Sequence, residues 1–458
     1  MKKFIGTKQF YKMLFIIVIP IVLQQFITQF VSLLDNLMIG QLGDSEMTGV
    51  SLANQLLFVF NLTVFGSLAG ASIFGAQYFG SNNKDGYHET IRFKWLMGVI
   101  IFVISTLIFV IFSEQLISSF ITTNENDSTD PVIVLSSGKM YLLIMLIGNL
   151  PFIIKEIYST SLRELKETFF PMVSGVIAIV VNLLFNYFLI FGTFGFPKLG
   201  IVGAAIATVL SRFVEMILVV TYTHIKKNKF TFFVGVYKRL IVKLSSVKLF
   251  LPRSVLLLTN ELLWSLALTF ILQCFSYRGL DIVAAFNISN TINNVFITIG
   301  TSLGIATGII IGNLLGASEE EEAKNASFVT LGFSVVVSVI FAAIMIGCAF
   351  VVPNLYKASP YIKDMARDLM IIAAISLPVQ AFNTCCYFIL RAGGKVILTM
   401  FFDCIYIWLV RFPVALIFCY FTKMDVRTVF ALCWLTELLK SFFGYAMINR
   451  GIWIKTIV

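Results

Sequence analysis

The sequence of 458 residues is poor in charged side chains, which make up 13% of it, whereas 58% of its residues are hydrophobic. Soluble domains carry roughly 25% charged and about 45–50% apolar residues. A chain with so few charges lacks the polar surface that a water-soluble fold requires. The mean hydropathy of +0.92 and the 46 Phe residues fit a surface that faces lipid. We therefore predict a membrane protein.

Histidine is also scarce, with only His88 and His224, and no cysteine precedes Cys274. A zinc site needs a cluster of Cys and His ligands, and a disulfide framework needs spaced, exposed cysteine pairs. The sequence offers neither, so we predict no metal site and no disulfide framework. The net charge of +10 lies in short segments between apolar runs. That pattern orients membrane helices, and we predict no nucleic-acid partner.

Long apolar runs recur along the whole chain. A membrane-spanning helix needs roughly 20 mostly apolar residues, whereas a barrel strand needs only about ten of alternating polarity. The runs predict an all-α polytopic membrane protein with about twelve spans. These lie near 14–36, 48–76, 93–112, 133–157, 169–192, 199–223, 249–275, 281–311, 326–351, 364–388, 396–420 and 427–448.

Basic residues mark alternate connections between these spans. They occur at both termini, in the 77–94 loop with Lys94, in the 155–168 loop with Lys155, and most densely in 224–253. The connections at 41–47 and 113–129 contain none. Because cytoplasmic connections are enriched in Lys and Arg, we expect both termini on the cytoplasmic side of the cell membrane.

Landmarks in the first half return 222 to 236 residues later, in the same order. Six spans bring the chain back to the side on which it began, so two such copies are parallel repeats, a transporter architecture. We expect two six-helix lobes, 1–223 and 249–458, facing each other across a central cavity and joined by a cytoplasmic linker at 224–248, in a monomer. The landmark pairs are Pro20 and Pro252, Gly80 and Gly316, Arg163 and Arg391, and Glu215 and Glu437.

The acids inside spans are the first candidates for chemistry, since a carboxylate in hydrocarbon costs at least roughly 2.5 kcal/mol. Asp35 ends a polar stripe that steps through the first helix at helical spacing. Asn182 and Asn186 are one turn apart on the fifth helix, as are Ala204 and Thr208 on the sixth. A carboxylate, amide oxygens, a hydroxyl and a backbone carbonyl suit a proton or a monovalent cation. The alternative is that these groups only hydrogen-bond the helices together. The other members of the stripe are Gln24, Thr28 and Ser32.

Glu261 lies midway along the seventh helix, where the repeat places it opposite Gln29. We predict that it exchanges a proton for a cationic substrate, with Trp264 beside it to stack on a flat cation. The alternative is a structural ion pair with Arg411. On the eighth helix a second polar stripe either lines the cavity or holds helices together; it consists of Asn287, Asn290 and Asn294.

Several segments, in this order and partly repeated, resemble the multidrug and toxic compound extrusion (MATE) family. They are LLDNLMIGQLGDSEMTGVSLANQ, GAQYFGS, LREL, NLLFNYFLIFG, LGIVGAAIAT, NELLWS, IGNLLGAS and LRAGGK. The resemblance implies an exporter of flat, amphipathic, often cationic compounds, driven by inward H⁺ or Na⁺, with no cofactor.

The resemblance also implies where the ion site of the first lobe lies, at Asp35, Asn182, the Ala204 carbonyl and Thr208. Two departures bear on the coupling ion. Asn186 stands where many members carry an acid, and the tenth helix has no acid between Ser376 and Leu390.

Two other classes compete with this interpretation. A lipid-linked oligosaccharide flippase of the same superfamily would need several basic side chains around a pyrophosphate, and we expect only Arg212 and Arg411 to lie deep inside the spans. An integral-membrane enzyme would need a nucleophile–base or metal constellation, which the sequence does not offer. We therefore expect a transporter and not an enzyme.

Overall fold

The computed structural model describes residues 4–120, 130–239, 241–356 and 358–457. Within them it has twelve helices of membrane-spanning length and no β-strand, which confirms the predicted all-α polytopic fold. The helices are α1 Lys8–Gly40, α2 Asp44–Gly80, α3 Lys84–Ser118, α4 Pro131–Glu164, α5 Phe169–Phe191, α6 Ile201–Ile225, α7 Leu244–Ser276, α8 Leu280–Gly316, α9 Glu320–Val351, α10 Pro360–Ala392, α11 Val396–Phe421 and α12 Val426–Asn449.

Local sequence sets where several helices begin and end. The Asp130 carboxylate accepts a hydrogen bond from the Val132 amide at 2.8 Å, and Asp425 caps α12 in the same way at 2.7 Å. A capping carboxylate satisfies an amide that the first helical turn leaves without a partner. At the other end, α5 stops at Gly192, whose φ of 72° is a left-handed conformation that glycine adopts without strain.

Two connections are shorter than predicted, because α3 begins at Lys84 and α4 continues to Glu164. The placement of Lys94 and Lys155 in loops was therefore wrong. Lys94 is fully buried and its Nζ lies 2.5 Å from Glu164 Oε1 and 3.0 Å from Ser161 Oγ. Paired charges of this kind let a helix continue through a region where the sequence alone indicates a polar loop.

The chain divides into two compact units. We call Leu23–Gly75 with Lys84–Leu258 the N-terminal unit. The C-terminal unit comprises the described residues up to Val22, Ala76–Asn83, and those from Thr259 on. Each unit thus takes a short segment from the other half of the sequence.

The paired landmarks occupy matching places in their helices. Gly80 ends α2 as Gly316 ends α8. Arg163 lies in the last turn of α4 as Arg391 does in α10. The division into lobes 1–223 and 249–458 stays a prediction.

In the N-terminal unit α4 packs against α3 and α6, and α5 packs against α6. The connection from α6 to α7, predicted as a linker at 224–248, docks on this unit. Phe230, Phe233 and Val236 are buried, and Arg92 Nε donates to the Val236 carbonyl at 3.0 Å. The basic residues of the connection thus surround an apolar anchor.

In the C-terminal unit α10 packs against α8, α9 and α12. The end of α2 lies directly on the end of α8, where both helices carry glycine. A Cβ atom at Gly316 would overlap the Gln77 carbonyl oxygen, and one at Gly80 would overlap the carbonyl of Asn313. Small residues let two membrane helices approach to backbone contact, so these positions fix the α2–α8 contact.

The same Gln77 holds the C-terminal segment. Its Nε2 donates to the carbonyls of Ala392 at 2.9 Å and Lys455 at 3.3 Å, and its Oε1 accepts from the Ile457 amide at 2.9 Å. Trp453, which belongs to this segment, is fully buried. One fully buried amide therefore fastens the segment after α12 to the ends of α2 and α10.

Replacing Gln77 with Ala is expected to release this segment, since three hydrogen bonds to backbone groups are lost. Two of these bonds reach the segment itself, so at about 0.5–1.5 kcal/mol each the local free energy of opening falls by about 1–3 kcal/mol. Hydrogen–deuterium exchange of the peptide that contains Trp453 and Ile457 measures the change. The matched control is Gln41→Ala, because Gln41 is exposed between α1 and α2. Equal exchange rates in the two variants would contradict the assignment.

Candidate functional site

A cavity of about 620 Å³ lies among α1, α2, α4, α5 and α6 of the N-terminal unit. Its lining is rich in amides and hydroxyls, and four lining residues carry a formal charge: Asp35, Lys155, Arg212 and Glu215. Lipid tails offer no partner for such groups. The cavity is therefore a compartment for water or for a polar solute.

Asp35 is the centre of a hydrogen-bonded cluster in this cavity. Asn186 Nδ2 donates to Asp35 Oδ1 at 2.6 Å and to Asn182 Oδ1 at 3.2 Å. Asn182 Nδ2 donates to Thr208 Oγ1 at 3.2 Å, and that hydroxyl donates to the Ala204 carbonyl at 3.0 Å. The structure thus brings all five proposed ion-binding residues together, in a chain that runs from α1 through α5 to α6.

The Asn182 amide fits this chain in two orientations. In the orientation just described, its oxygen faces the Asp35 carboxyl group. Turned over, its nitrogen lies 3.0 Å from Oδ1 and 3.2 Å from Oδ2 of Asp35, and its oxygen accepts from Thr208 at 3.2 Å. The hydrogen bond from Asn186 is then lost, because the two amide nitrogens face each other at 3.2 Å. An ionised carboxylate needs the N–H side, whereas a protonated carboxyl group needs an acceptor. The favoured orientation of the Asn182 amide therefore depends on whether Asp35 is ionised or protonated.

Helical spacing explains why these groups meet. Residues four apart lie on one face, which places Asn182 above Asn186 on α5 and Ala204 above Thr208 on α6. On α1, the stripe members Gln24 and Thr28 line the cavity together with Asp35. The side chain of Ser32, its fourth member, lies outside the described residues.

The other charges of the cavity lie on α4 and α6. Lys155 Nζ is 2.6 Å from Glu156 Oε1 and 3.7 Å from Glu215 Oε2. Arg212 Nη1 donates to the Asn149 side-chain oxygen at 3.0 Å. Lys155 thus has two acidic neighbours, whereas the hydrogen-bond partner of Arg212 is a neutral amide.

Glu261 lies in the C-terminal unit, where the Tyr387 hydroxyl donates to its Oε1 at 2.9 Å. Beside it, Asp403 accepts from Lys440 at 2.8 Å and from Asn260 at 3.3 Å. The alternative interpretation, an ion pair of Glu261 with Arg411, was wrong. Arg411 pairs instead with Glu437 at 3.6 Å, and its guanidinium lies over the Trp434 ring at 4.0 Å.

The remaining predicted residues are more dispersed. Gln29 is half-buried on α1 in the N-terminal unit, and Trp264 is half-buried on α7 in the C-terminal unit. On α8, Asn290 is half-buried, whereas Asn287 and Asn294 are exposed. Among the described residues of the C-terminal unit, Tyr387 is the one that hydrogen-bonds to the Glu261 side chain. The roles of Gln29, Trp264 and the α8 stripe stay predictions.

Sequence reasoning missed three polar residues of these clusters. Lys155 and Lys440 lie within helices, so Arg212 and Arg411 are not the only basic residues inside the spans. Lys440 follows Glu437 by three residues on α12, a spacing that indicates a shared face. Tyr387 left no such signal, because its hydroxyl partner lies 126 positions away in sequence.

Comparison with known proteins agrees with this architecture. The MatE family model matches the chain twice, over residues 20–188 and 256–420, so each half carries one copy. The probable multidrug resistance protein NorM of Thermotoga maritima is 26% identical over 84% of this chain and 80% of its own. The probable multidrug resistance protein YoeA of Bacillus subtilis is 25% identical over 90% of this chain and 87% of its own.

A solved structure shares the fold. The outward-facing structure of a multidrug resistance MATE family transporter has a TM-score of 0.86 and 17% sequence identity, and the match covers 96% of each chain. The twelve membrane-length helices of the described residues define a multi-pass membrane protein, and the family match identifies it as a transporter. The chain belongs to the MatE family of multidrug and toxic compound extrusion transporters.

Proposed function

We propose that this transporter exports amphipathic, often cationic compounds in exchange for inward H⁺ or Na⁺, by alternating access. The observation that carries the proposal is the Asp35 cluster, a carboxyl group in a polar cavity whose nearest partners are amides. A carboxyl group held by neutral partners changes its net charge when a cation binds. One held by a basic side chain already has its charge balanced, as Glu164 does with Lys94.

The coupling ion would act through the Asn182 amide. With H⁺ or Na⁺ at Asp35, the amide oxygen faces the carboxyl group and the Thr208 hydroxyl donates to the Ala204 carbonyl. With Asp35 ionised and empty, the amide turns and Thr208 donates to it instead. Ion binding on α1 thereby changes a hydrogen bond to the backbone of α6, which couples the two helices.

The proposal includes the surroundings of the protein. We propose a monomer in the cell membrane with both termini in the cytoplasm, with no enzymatic activity and no nucleic-acid partner. The basic residues of the connection after α6 support this orientation. The Asp35 cluster supports a monomer, since one chain supplies every member.

The alternative, a flippase of lipid-linked oligosaccharides, needs several basic groups free to hold a pyrophosphate. The cavity contains two basic residues, and Lys155 is engaged with Glu156 and Glu215. One remaining guanidinium favours a small solute over a pyrophosphate-linked lipid.

Efflux of a cationic dye from proteoliposomes, under separately imposed pH and Na⁺ gradients, tests the proposal. Wild type is expected to export under one of the two gradients, which identifies the coupling ion. Asp35→Asn is expected to fall to the rate of empty liposomes under both, because an amide cannot take up a charge. Asp368→Asn is the matched control, since Asp368 forms an ion pair with Arg427 at 2.9 Å and is not among the residues that line the cavity. Wild-type efflux by Asp35→Asn at equal expression would show that Asp35 is structural.

The proposed link to α6 predicts a distinct effect for Thr208→Val, which keeps the shape of the side chain and removes the hydroxyl. We expect coupled efflux about 2- to 10-fold slower, because one hydrogen bond of the switch is lost. Thr223→Val on the same helix is the control, since its hydroxyl also donates four residues back, to Val219 at 2.7 Å. If both variants slow efflux equally, the effect belongs to helix stability and the switch is wrong.

Glu261 is proposed to exchange a proton for the cationic group of the substrate. Glu261→Gln is expected to weaken the binding of cationic dyes far more than that of neutral dyes. It is also expected to flatten the pH dependence of dye binding, since protons no longer compete with the cation for this side chain. Equilibrium dye binding across pH measures both effects. Glu320→Gln, an exposed acid in the first turn of α9, is the control. A pH dependence that survives in Glu261→Gln would assign this carboxyl group to helix packing.

A further inference from the structure

Arg212 lies at the middle of α6, which runs from Ile201 to Ile225. An arginine at the centre of a membrane helix costs roughly 2.5–3.5 kcal/mol by insertion measurements. A residue of this cost needs a compensating partner or a function. Its surroundings show which of the two applies.

The partners of Arg212 are neutral. Nη1 donates to Asn149 at 3.0 Å, and the guanidinium lies 5.0 Å from the centroid of the Phe152 ring. Among the described residues, no carboxylate oxygen lies within 4.0 Å of it. Glu215, the acid one turn further along α6, pairs with Lys155 at 3.7 Å, and Lys155 also takes Glu156. Both acids are thus within salt-bridge distance of Lys155, whereas Glu215 attracts the Arg212 guanidinium only from beyond 4.0 Å.

The guanidinium is left with donors to spare. It carries five N–H groups in a planar fork, of which one is used by Asn149. The fork matches the two oxygens of a carboxylate, and a neighbouring aromatic face does not satisfy it. Arg212 lines the cavity, so a solute there reaches the free donors.

Arg212 also lies close to the proposed ion site. It follows Thr208 by four residues and so occupies the same face of α6, about 6 Å along the helix. One cavity therefore holds a cationic anchor at Arg212 and an anionic group at Asp35. A solute with one charge of each sign would satisfy both ends.

We propose that Arg212 is the subsite for an acidic oxygen group of the exported compound. The preferred substrates of the cavity are then amphipathic zwitterions, in which a carboxylate binds to Arg212 and an amine binds near Asp35. This inference rests on the proposed export function and narrows its substrate class.

A matched pair of dyes isolates the acidic group: a zwitterionic rhodamine with a free carboxylate, and its methyl ester. Binding is measured by fluorescence polarisation with purified protein in detergent. Arg212→Gln is expected to weaken binding of the acid dye by about 10- to 100-fold, which is the loss typical of a hydrogen-bonded charged group. Binding of the ester is expected to weaken far less. The affinity of Arg212→Lys for the acid dye is expected to lie between those of wild type and Arg212→Gln, because lysine keeps the charge and lacks the planar fork of donors.

Arg411→Gln is the matched control, since it removes an arginine from inside a membrane helix of the C-terminal unit. We expect its ratio of acid to ester affinity to equal that of wild type. Thermal unfolding of each variant confirms that the fold is kept. Equal weakening of both dyes in Arg212→Gln would mean that Arg212 only shapes the cavity, and unchanged acid binding would remove the subsite altogether.

Two further arms separate the remaining outcomes. If phosphatidylglycerol displaces the acid dye from wild type and not from Arg212→Gln, the subsite holds a lipid headgroup and the substrate assignment is wrong. If wild-type liposomes export neither dye under either gradient, the proposed function fails, and the subsite as a substrate site fails with it. Export of the ester, with no loss of acid preference in Arg212→Gln, overturns the subsite alone.

Discussion

Hydrocarbon supplies no hydrogen-bond partner, so every polar group that this chain places in a membrane-spanning helix must find one inside the protein. The structure meets this constraint in two ways. Some charges are balanced by an opposite charge, as in Lys94 with Glu164 and Lys440 with Asp403. Others are held by neutral groups, as Asp35 is by Asn186. The first arrangement fixes helices in place, because breaking a buried pair leaves an uncompensated charge. The second arrangement leaves a charge without an opposite charge beside it, so a cation can bind there without first breaking an ion pair.

Within the N-terminal unit, this distinction separates the ion pairs that hold helices together from the cluster that we propose as the ion site. Lys94 and Glu164 hold α3 and α4 together with both charges satisfied. In the same unit the Asp35 cluster contains amides and a hydroxyl, each of which donates or accepts according to its orientation. The proposed binding and release of an ion would need that freedom, which a fully paired charge such as Glu164 does not have.

The length of the apolar runs was sufficient to predict twelve spans, because a bilayer imposes one helix length on every span. That the proposed ion-binding residues lie together was predictable for a similar reason, since Asn182 with Asn186 and Ala204 with Thr208 needed only the helical repeat. Contacts that depend on how helices are rotated against each other left no trace in the sequence. Tyr387 beside Glu261 belongs to this group, as does the fully buried Gln77 that fastens the C-terminal segment. Lys155 was wrongly placed in a loop, because a basic residue near the end of an apolar run can belong either to the last turns of the helix or to the loop that follows.

The two proposed anchors of the cavity contribute differently to exchange. When H⁺ or Na⁺ occupies Asp35, the cavity gains one positive charge, which weakens a bound amine and strengthens a bound carboxylate. Linkage is reciprocal, so under the proposed exchange an amine in the cavity would expel the coupling ion, whereas a carboxylate at Arg212 would favour its retention. Under the proposed exchange, displacement of the coupling ion therefore depends on the cationic group of the solute, whereas the acidic group adds affinity and partly offsets that displacement. A solute with only an acidic group would bind together with the ion and would not be exchanged for it.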